Sequence, residues 1–333
     1  MRELLAFLFA AALLSSPLRA KPPAGFPAAA RGLILDAAVN GVAIVAVGER
    51  GAIIRSADSG DSWETLTSPT HADLTALVFA TPSHGWAVGH GGIILHTLDG
   101  GETWTEQFQT ENRDTVFLDV AAIDQQRAIA VGAFGACWIT LDGGRNWQPQ
   151  KLPVEDNHLN RVTLNTDGDF YIAGERGTLL QITSLKRNAA LLHLPSPSSY
   201  YGILPLSKTT LLAHGLGGRI YRSEDAGASW KNISSPLSAL FATSIRLKSG
   251  TIILAGQARA FVISLDEGRT FQVWNPPHTT AIAELIEAPN GKLLAFGEGG
   301  VARLNPPPAP ENPPVVDKVA PPATYLPPLP RPL

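Results

Sequence analysis

One cysteine, one methionine and only 17% charged residues in a chain of 333 leave several functions without material. Cys137 has no second thiol for an intramolecular disulfide, and its place beside Trp138 on an apolar strand reads as a buried structural thiol. The eight histidines are scattered without an H-E-x-x-H or comparable spacing, so no metal site is expected. No glycine loop lies between a strand and a helix, where it could cradle phosphate, and no cofactor is expected. A formal net charge of −3 offers no electrostatic case for nucleic acid. The apolar run from Leu4 to Leu14 is too short to span a bilayer comfortably.

Glycine is abundant, with 31 residues, and its placement organises the chain. Gly48, Gly89, Gly132, Gly174, Gly215, Gly256 and Gly297 follow one another at spacings of 41, 43, 42, 41, 41 and 41 residues. Three residues after each anchor stands a second glycine (Gly51, Gly92, Gly135, Gly177, Gly218, Gly300), with Arg259 as the exception. Further columns follow in five repeats: Ser or Thr (Ser56, Thr97, Thr140, Ser223, Ser264), then Asp58, Asp99, Asp142, Asp225 and Asp266. Gly60, Gly101, Gly144, Gly227 and Gly268 come next, and the aromatics Trp63, Trp104, Trp147, Trp230 and Phe271 close the motif. A period of about 40 residues built from short strands and turns is the pattern of propeller blades.

Each column has a physical reading. Trp86-Ala87-Val88-Gly89 and Ile93-Ile94-Leu95-His96-Thr97 are apolar and β-branched strands joined by a glycine turn, where positive φ is tolerated. The aspartate can accept backbone N–H groups of its own turn, and the aromatic packs between blades. Upstream, Leu74 to Ala80 suits an innermost strand covered on both faces. The expectation is an all-β, seven-bladed propeller over residues 31–304, with four strands per unit. Two repeats depart. The fourth lacks the Asp and Gly after Thr178, so its outer hairpin should differ. The seventh stops at Asn305-Pro306-Pro307-Pro308, so either residues 21–30 add a closing strand or that blade has three.

The S/T-x-D-x-G-x-x-W pattern is the Asp-box, and the chain resembles the Asp-box propellers of the photosystem II stability and assembly factor family. Residues Gly85 to Trp104 look much like that family's blade consensus, and the resemblance covers about residues 31–304. It implies a non-catalytic scaffold that helps to assemble or stabilise a membrane protein complex. In photosynthetic members the partner is a photosystem II reaction-centre subunit, bound by an arginine-bearing surface. Asp-boxes also occur in sialidases and other carbohydrate-active proteins, so a glycan-directed function is the opposing reading, and an envelope transporter is the alternative client. The motif marks a turn and not a function.

The termini read separately. Met1-Arg2-Glu3, the apolar run and Ser15 to Ala20 form an export signal over residues 1–20, cleaved or retained as an anchor, which points to the periplasm. No Cys follows the cleavage point, which argues against a lipoprotein. Residues 305–333 hold 12 prolines in 29 positions, a composition for an extended tail that is either a spacer or a docking segment around Tyr325-Leu326-Pro327-Pro328.

In a four-stranded blade the G-x-x-G turn opens on the same face as the inter-blade connections, and the Asp-box turn on the other. The first face therefore carries Glu49, Arg50, His90, Phe134, Glu175, Arg176, Arg259 and Glu298, a mixture suited to binding protein. Glu49, Glu175 and Glu298 could in principle pair as glycosidase carboxylates, but their recurrence at one turn position fits a shared hairpin preference better. The arginine motif of a sialidase is absent ahead of the first repeat. No catalytic residue is assigned, the Asp-box aspartates are read as structural, and a monomer is expected.

Overall fold

The computed structural model describes residues 26–185, 189–278 and 280–311. The export signal, and all of the proline tail beyond Glu311, lie outside the described residues. Among the described residues seven antiparallel sheets follow one another, six with four strands and the last with three. Blade 2 is representative, pairing Leu74–Phe79, Gly85–Gly89, Ile93–Thr97 and Thr105–Gln109 from the axis outward. Among the described residues the only helices are short 3-10 turns, and none is long and apolar enough to cross a membrane.

The second strand of every blade is buried at each position, because sheets cover it on both faces. Burial is partitioned into seven clusters, one in each gap between neighbouring blades. The Asp-box aromatics help to fill these gaps. Trp63 meets Phe296 of blade 7 edge-on at 5.9 Å between centroids, and Trp147 meets Trp86 of blade 2 at 6.4 Å. Trp104 is buried between blades 1 and 2, while Trp230 and Phe271 are half-buried.

The Asp-box turns are hydrogen-bonded alike. In blade 2, Thr97 Oγ1 donates to Asp99 at 2.8 Å and accepts from Gly101 N–H, while the Thr103 N–H and hydroxyl donate to Asp99 at 2.9 and 2.6 Å. Burial pushes the Asp99 carboxyl up, but these donors prevail and hold it at about 2. Donors from Ser62 and Ser229 likewise hold Asp58 and Asp225 at about 2. Asp142 and Asp266 make the equivalent bonds. Cys137 is buried, and burial pushes its thiol up to about 12, as a packing role requires.

The anchor glycines have a different cause from the one expected. Gly48, Gly132 and their counterparts are extended, not left-handed. What excludes a side chain is a carbonyl just ahead of the innermost strand: a Cβ would lie 2.1 Å from Leu33 O at Gly48, 2.0 Å from Asp73 O at Gly89 and 2.0 Å from Val116 O at Gly132. Positive φ falls later in the turn, as at Gly91 and Gly92.

Blade 4 keeps four strands, Leu159–Leu164, Phe170–Gly174, Leu179–Ile182 and Ala190–Leu191, although the sequence between its two outer strands lacks the Asp-box motif. Among the described residues blade 7 has three strands, Ile282–Glu287, Leu293–Gly297 and Gly300–Leu304. No closing strand forms from residues 26–32. Instead the 3-10 turn Ala29–Arg31 sets the Ala30 carbonyl 2.1 Å from where a Cβ of Gly300 would be, the place held by Thr70 O at Gly51 and Leu237 O at Gly218. This segment thus stands in for an inter-blade connection. The seam is tied by Arg303, which donates to Gly60 O and Asp61 O at 2.9 and 2.7 Å, and by Phe26, buried beneath the Arg303 guanidinium. Beyond Leu304 the chain turns under blade 6, where Pro308 O accepts from Thr251 Oγ1 at 3.0 Å.

Candidate functional site

Seven turns, six of them G-x-x-G and the blade 6 turn Gly256-Gln257-Ala258-Arg259, form a rim on one face. In every blade the residue after the anchor glycine donates its N–H to a carbonyl ahead of the innermost strand, from Glu49 to Leu33 at 3.0 Å through Glu298 to Ala281 at 3.3 Å. The rim is thereby fixed to the channel wall. Two of the predicted residues reinforce it: Glu49 accepts the Leu33 N–H at 3.1 Å, and Glu175 accepts the His158 N–H at 3.2 Å. Their carboxylates are tied to backbone.

The next rim position is left-handed, with φ of 55° at Arg50, 55° at Phe134, 54° at Arg176 and 54° at Ala258, where blades 2 and 5 place Gly91 and Gly217. A non-glycine residue held there costs about 1–2 kcal/mol. Arg50, Arg176, Arg259 and Glu298 are exposed, and Phe134 is 63% exposed with its edge against His158 at 4.8 Å between centroids. Arg219, exposed beside Gly218, joins them on this face. Among the described residues none of Arg50, Arg176, Arg219 and Arg259 pairs with a carboxylate. His90 points inward and lines the funnel.

Inside the rim a funnel of about 550 Å³ descends along the axis, with apolar walls that include Leu33, Leu118, Tyr201, Leu240 and Ile282. Its floor is polar. Strand register brings one residue per blade to a common level: Asp36 opposite Val47, Ala76 opposite Val88, Asp119 opposite Val131 and Arg161 opposite Ala173. Gly202 opposite His214, Thr243 opposite Ala255 and Glu284 opposite Phe296 complete it. Arg161 of blade 4 reaches across the channel to Glu284 of blade 7 at 2.8 Å and lies 3.8 Å from Asp119. Asp36 and Asp119 each accept a backbone N–H of the next blade, from Leu77 and Val162, both at 2.7 Å.

Burial pushes the Asp119 carboxyl up to about 6 despite Arg161. Burial, then the charge of Glu284, pushes Asp36 well above the carboxylate range. Arg161 remains charged because Glu284 and Asp119 outweigh the burial that opposes it. The floor was not foreseen from the repeat, since its seven residues share a level and not an identity. Its signal was present all the same as charges inside otherwise apolar innermost strands, such as Asp119 within Phe117–Ala122 and Glu284 within Ile282–Glu287.

Comparison with known proteins agrees with this architecture. Residues 54–115 and 106–321 match the family model described as photosynthesis system II assembly factor YCF48. The chain is 26% identical over 196 residues to a photosystem II assembly lipoprotein Ycf48 of Synechococcus, covering 56% of this chain and 58% of that protein. It is 27% identical over 208 residues to one from Prochlorococcus marinus, covering 60% of each. The chain thus spans about three fifths of the length of the curated relatives it matches. A solved structure described as YCF48 bound to D1 peptide superposes with a TM-score of 0.68 at 20% identity, over 82% of this chain and 93% of that one. YCF48 from Cyanidioschyzon merolae gives 0.68 at 16%, over 82% and 95%. A WD40 propeller of Doa1 scores 0.65 at 13% identity over 82% of this chain and 92% of that one, so the structural likeness speaks for the fold alone. With the family model matching most of the chain and the Asp-box columns intact in five blades, the chain belongs to the photosystem II assembly factor Ycf48 family.

Proposed function

We propose that the protein is an exported, non-catalytic scaffold whose G-x-x-G face docks a subunit of a membrane protein complex during assembly, with photosystem II or its counterpart as the client. The observation that carries this reading is the set of arginine and aromatic side chains held at positive φ on the rim. Glycine would relieve the strain at Arg50, Phe134 and Arg176, so local stability does not favour those side chains; a binding role does. Unpaired arginines suit carboxylate-bearing partners, because a guanidinium offers paired donors without a competing internal acceptor. The names of the relatives point the same way: they are photosystem II assembly proteins, and one solved relative holds a D1 peptide.

A hydrolase is disfavoured by chemistry on the rim. Glu49 and Glu175 each accept a backbone N–H group, which gives both carboxylates a structural part in the turn. The test is a double charge reversal, Arg50→Glu with Arg176→Glu, in full-length protein recovered from its host with solubilised membranes. Loss of the co-purifying complex with an unchanged melting profile is expected, since exposed tips contribute little to stability. Undiminished recovery of the complex would refute the docking face. Turnover of sialosides or β-glucans that is lost in Glu49→Gln would replace it with the carbohydrate reading.

A further inference from the structure

Blades 1 and 5 carry an arginine at the same place in opposite company. Arg55 and Arg222 each stand seven residues after an anchor glycine, Gly48 and Gly215, on the third strand of their blade. Glu64 lies directly opposite Arg55 on the fourth strand, and Glu102, thirteen residues after Gly89, reaches it from the Asp-box turn of blade 2. Arg55 donates to both carboxylates, at 3.1 and 3.3 Å. The corresponding positions around Arg222 hold Lys231, directly opposite on the fourth strand, and Arg269, thirteen residues after Gly256 in the Asp-box turn of blade 6. Both carboxylates of blade 1 are thus replaced by cations. Like charges set opposite each other across two strands are destabilising, so the local fold does not account for the exchange.

Arg222 is also short of acceptors. Its side chain is only 7% exposed, against 18% for Arg55. Nε donates to Glu267 O at 3.0 Å and Nη1 to Glu224, while no acceptor among the described residues meets Nη2. A cavity of about 320 Å³ opens here, and its lining includes Arg222, Lys231, Arg269, Glu224 and the half-buried Trp230. The three cations act on a common point. The Arg222 hydrogen bond and charge, then the charges of Arg269 and Lys231, hold the Glu224 carboxyl below its usual range. Lys231 is exposed and makes no ion pair among the described residues, and Arg269 uses only Nη1, for Asp266 O and Glu267.

We propose that this cavity, between the outer strands of blade 5 and the Asp-box turn of blade 6, binds a sugar phosphate. Three cations against one carboxylate leave two positive charges in the lining to be met. A phosphate monoester, with a second pKa of about 6, carries nearly that charge at about pH 7.5. The free Nη2 of Arg222 supplies a donor fixed in place by the Glu267 carbonyl, and the unused nitrogens of Arg269 and the Lys231 ammonium supply the rest. The Trp230 N–H is taken by Gly227 O at 3.0 Å, so its ring offers apolar surface to the sugar. The cavity belongs to the Asp-box side of the ring, and the proposal does not rest on the docking face.

The experiment is a titration of the isotope-labelled, full-length protein with glucose 6-phosphate at about pH 7.5, followed through the Arg222 Nε–H and Trp230 indole N–H resonances. Glucose, glucuronate and inorganic phosphate serve as the neutral, singly charged and ring-free controls. A saturable shift of both resonances is expected with glucose 6-phosphate, binding about tenfold or more tighter than any control. Lys231→Glu with Arg269→Glu rebuilds around Arg222 the arrangement that surrounds Arg55, and it should weaken binding about a hundredfold or more. If that variant does not fold, Lys231→Gln alone should weaken binding about fivefold or more. No saturable response, or undiminished binding in a folded variant, would overturn the site. Glucuronate or inorganic phosphate binding as tightly as the ester would overturn the sugar phosphate as its ligand.

Discussion

Replacing Arg161 with Met removes the only cation on the channel floor while keeping a long, flexible side chain. Breaking a buried ion pair by deleting one member costs about 3–5 kcal/mol, since the remaining carboxylates keep their desolvation without compensation. Arg161 retains 26% exposure to the funnel, against 10% for Glu284 and 7% for Asp119, so water softens the loss. The lower end of that range, about 3 kcal/mol near pH 8, is therefore expected. The deficit must also depend on pH. Asp119 has a folded-state value of about 6 against an ordinary 3.8, and without Arg161 it moves higher still. A carboxyl raised by folding destabilises the protein above its folded pKa and ceases to do so as the pH falls toward the unfolded value. By about pH 5 Asp119 is protonated in both proteins, and the difference should shrink to about 1–2 kcal/mol. Guanidinium unfolding of wild type and Arg161→Met at the two pH values measures this directly. A deficit below about 1 kcal/mol near pH 8, or one that grows on acidification, would show that Arg161 does not neutralise the floor.

Three further perturbations probe other links. Trp104→Ala, in the gap between blades 1 and 2, should cost about 3–5 kcal/mol, and Asp99→Ala about 1–2, because its four donors surround an exposed carboxylate. The reverse order in denaturant melts would assign the Asp-box a role beyond its turn. Asp58, Asp99 and Asp225 are held at about 2, so their stabilisation is present above the ordinary carboxylate value and is lost as the pH falls through about 2; wild-type melts between those limits should show it. Gly202→Ala would push a Cβ into the His214 ring and should destabilise by about 1–3 kcal/mol, with His214→Ala restoring much of the loss in the double variant. Independent, additive effects would mean that the two residues do not share the space.

The blades were legible in the sequence because their features recur. Asp99 and Trp104 could be placed on one turn since four other repeats show an Asp and an aromatic at the same spacing, and each copy answers to the same local geometry. The anchor glycines were located correctly, but for a steric reason that only the packed structure supplies: the carbonyl against Gly89 belongs to Asp73, 16 residues upstream. The floor was illegible for the opposite reason. Asp36, Arg161 and Glu284 occupy matching positions with unlike side chains, and their relation is across the channel, over 123 residues between Arg161 and Glu284. The rim glutamates stand between these cases. Their recurrence suggested a hairpin preference, and the bonds from Glu49 to Leu33 and Glu175 to His158 give that preference its physical form.

The closure of blade 7 with three strands among the described residues has an orientational consequence. Phe26 lies against Arg303, whose guanidinium binds the blade 1 Asp-box turn, and Pro308 lies against Thr251 in the turn between the two inner strands of blade 6. Both described ends of the chain therefore pack toward the face opposite the rim. A tether attached at either of these positions would load that face and leave the mouth of the funnel turned outward.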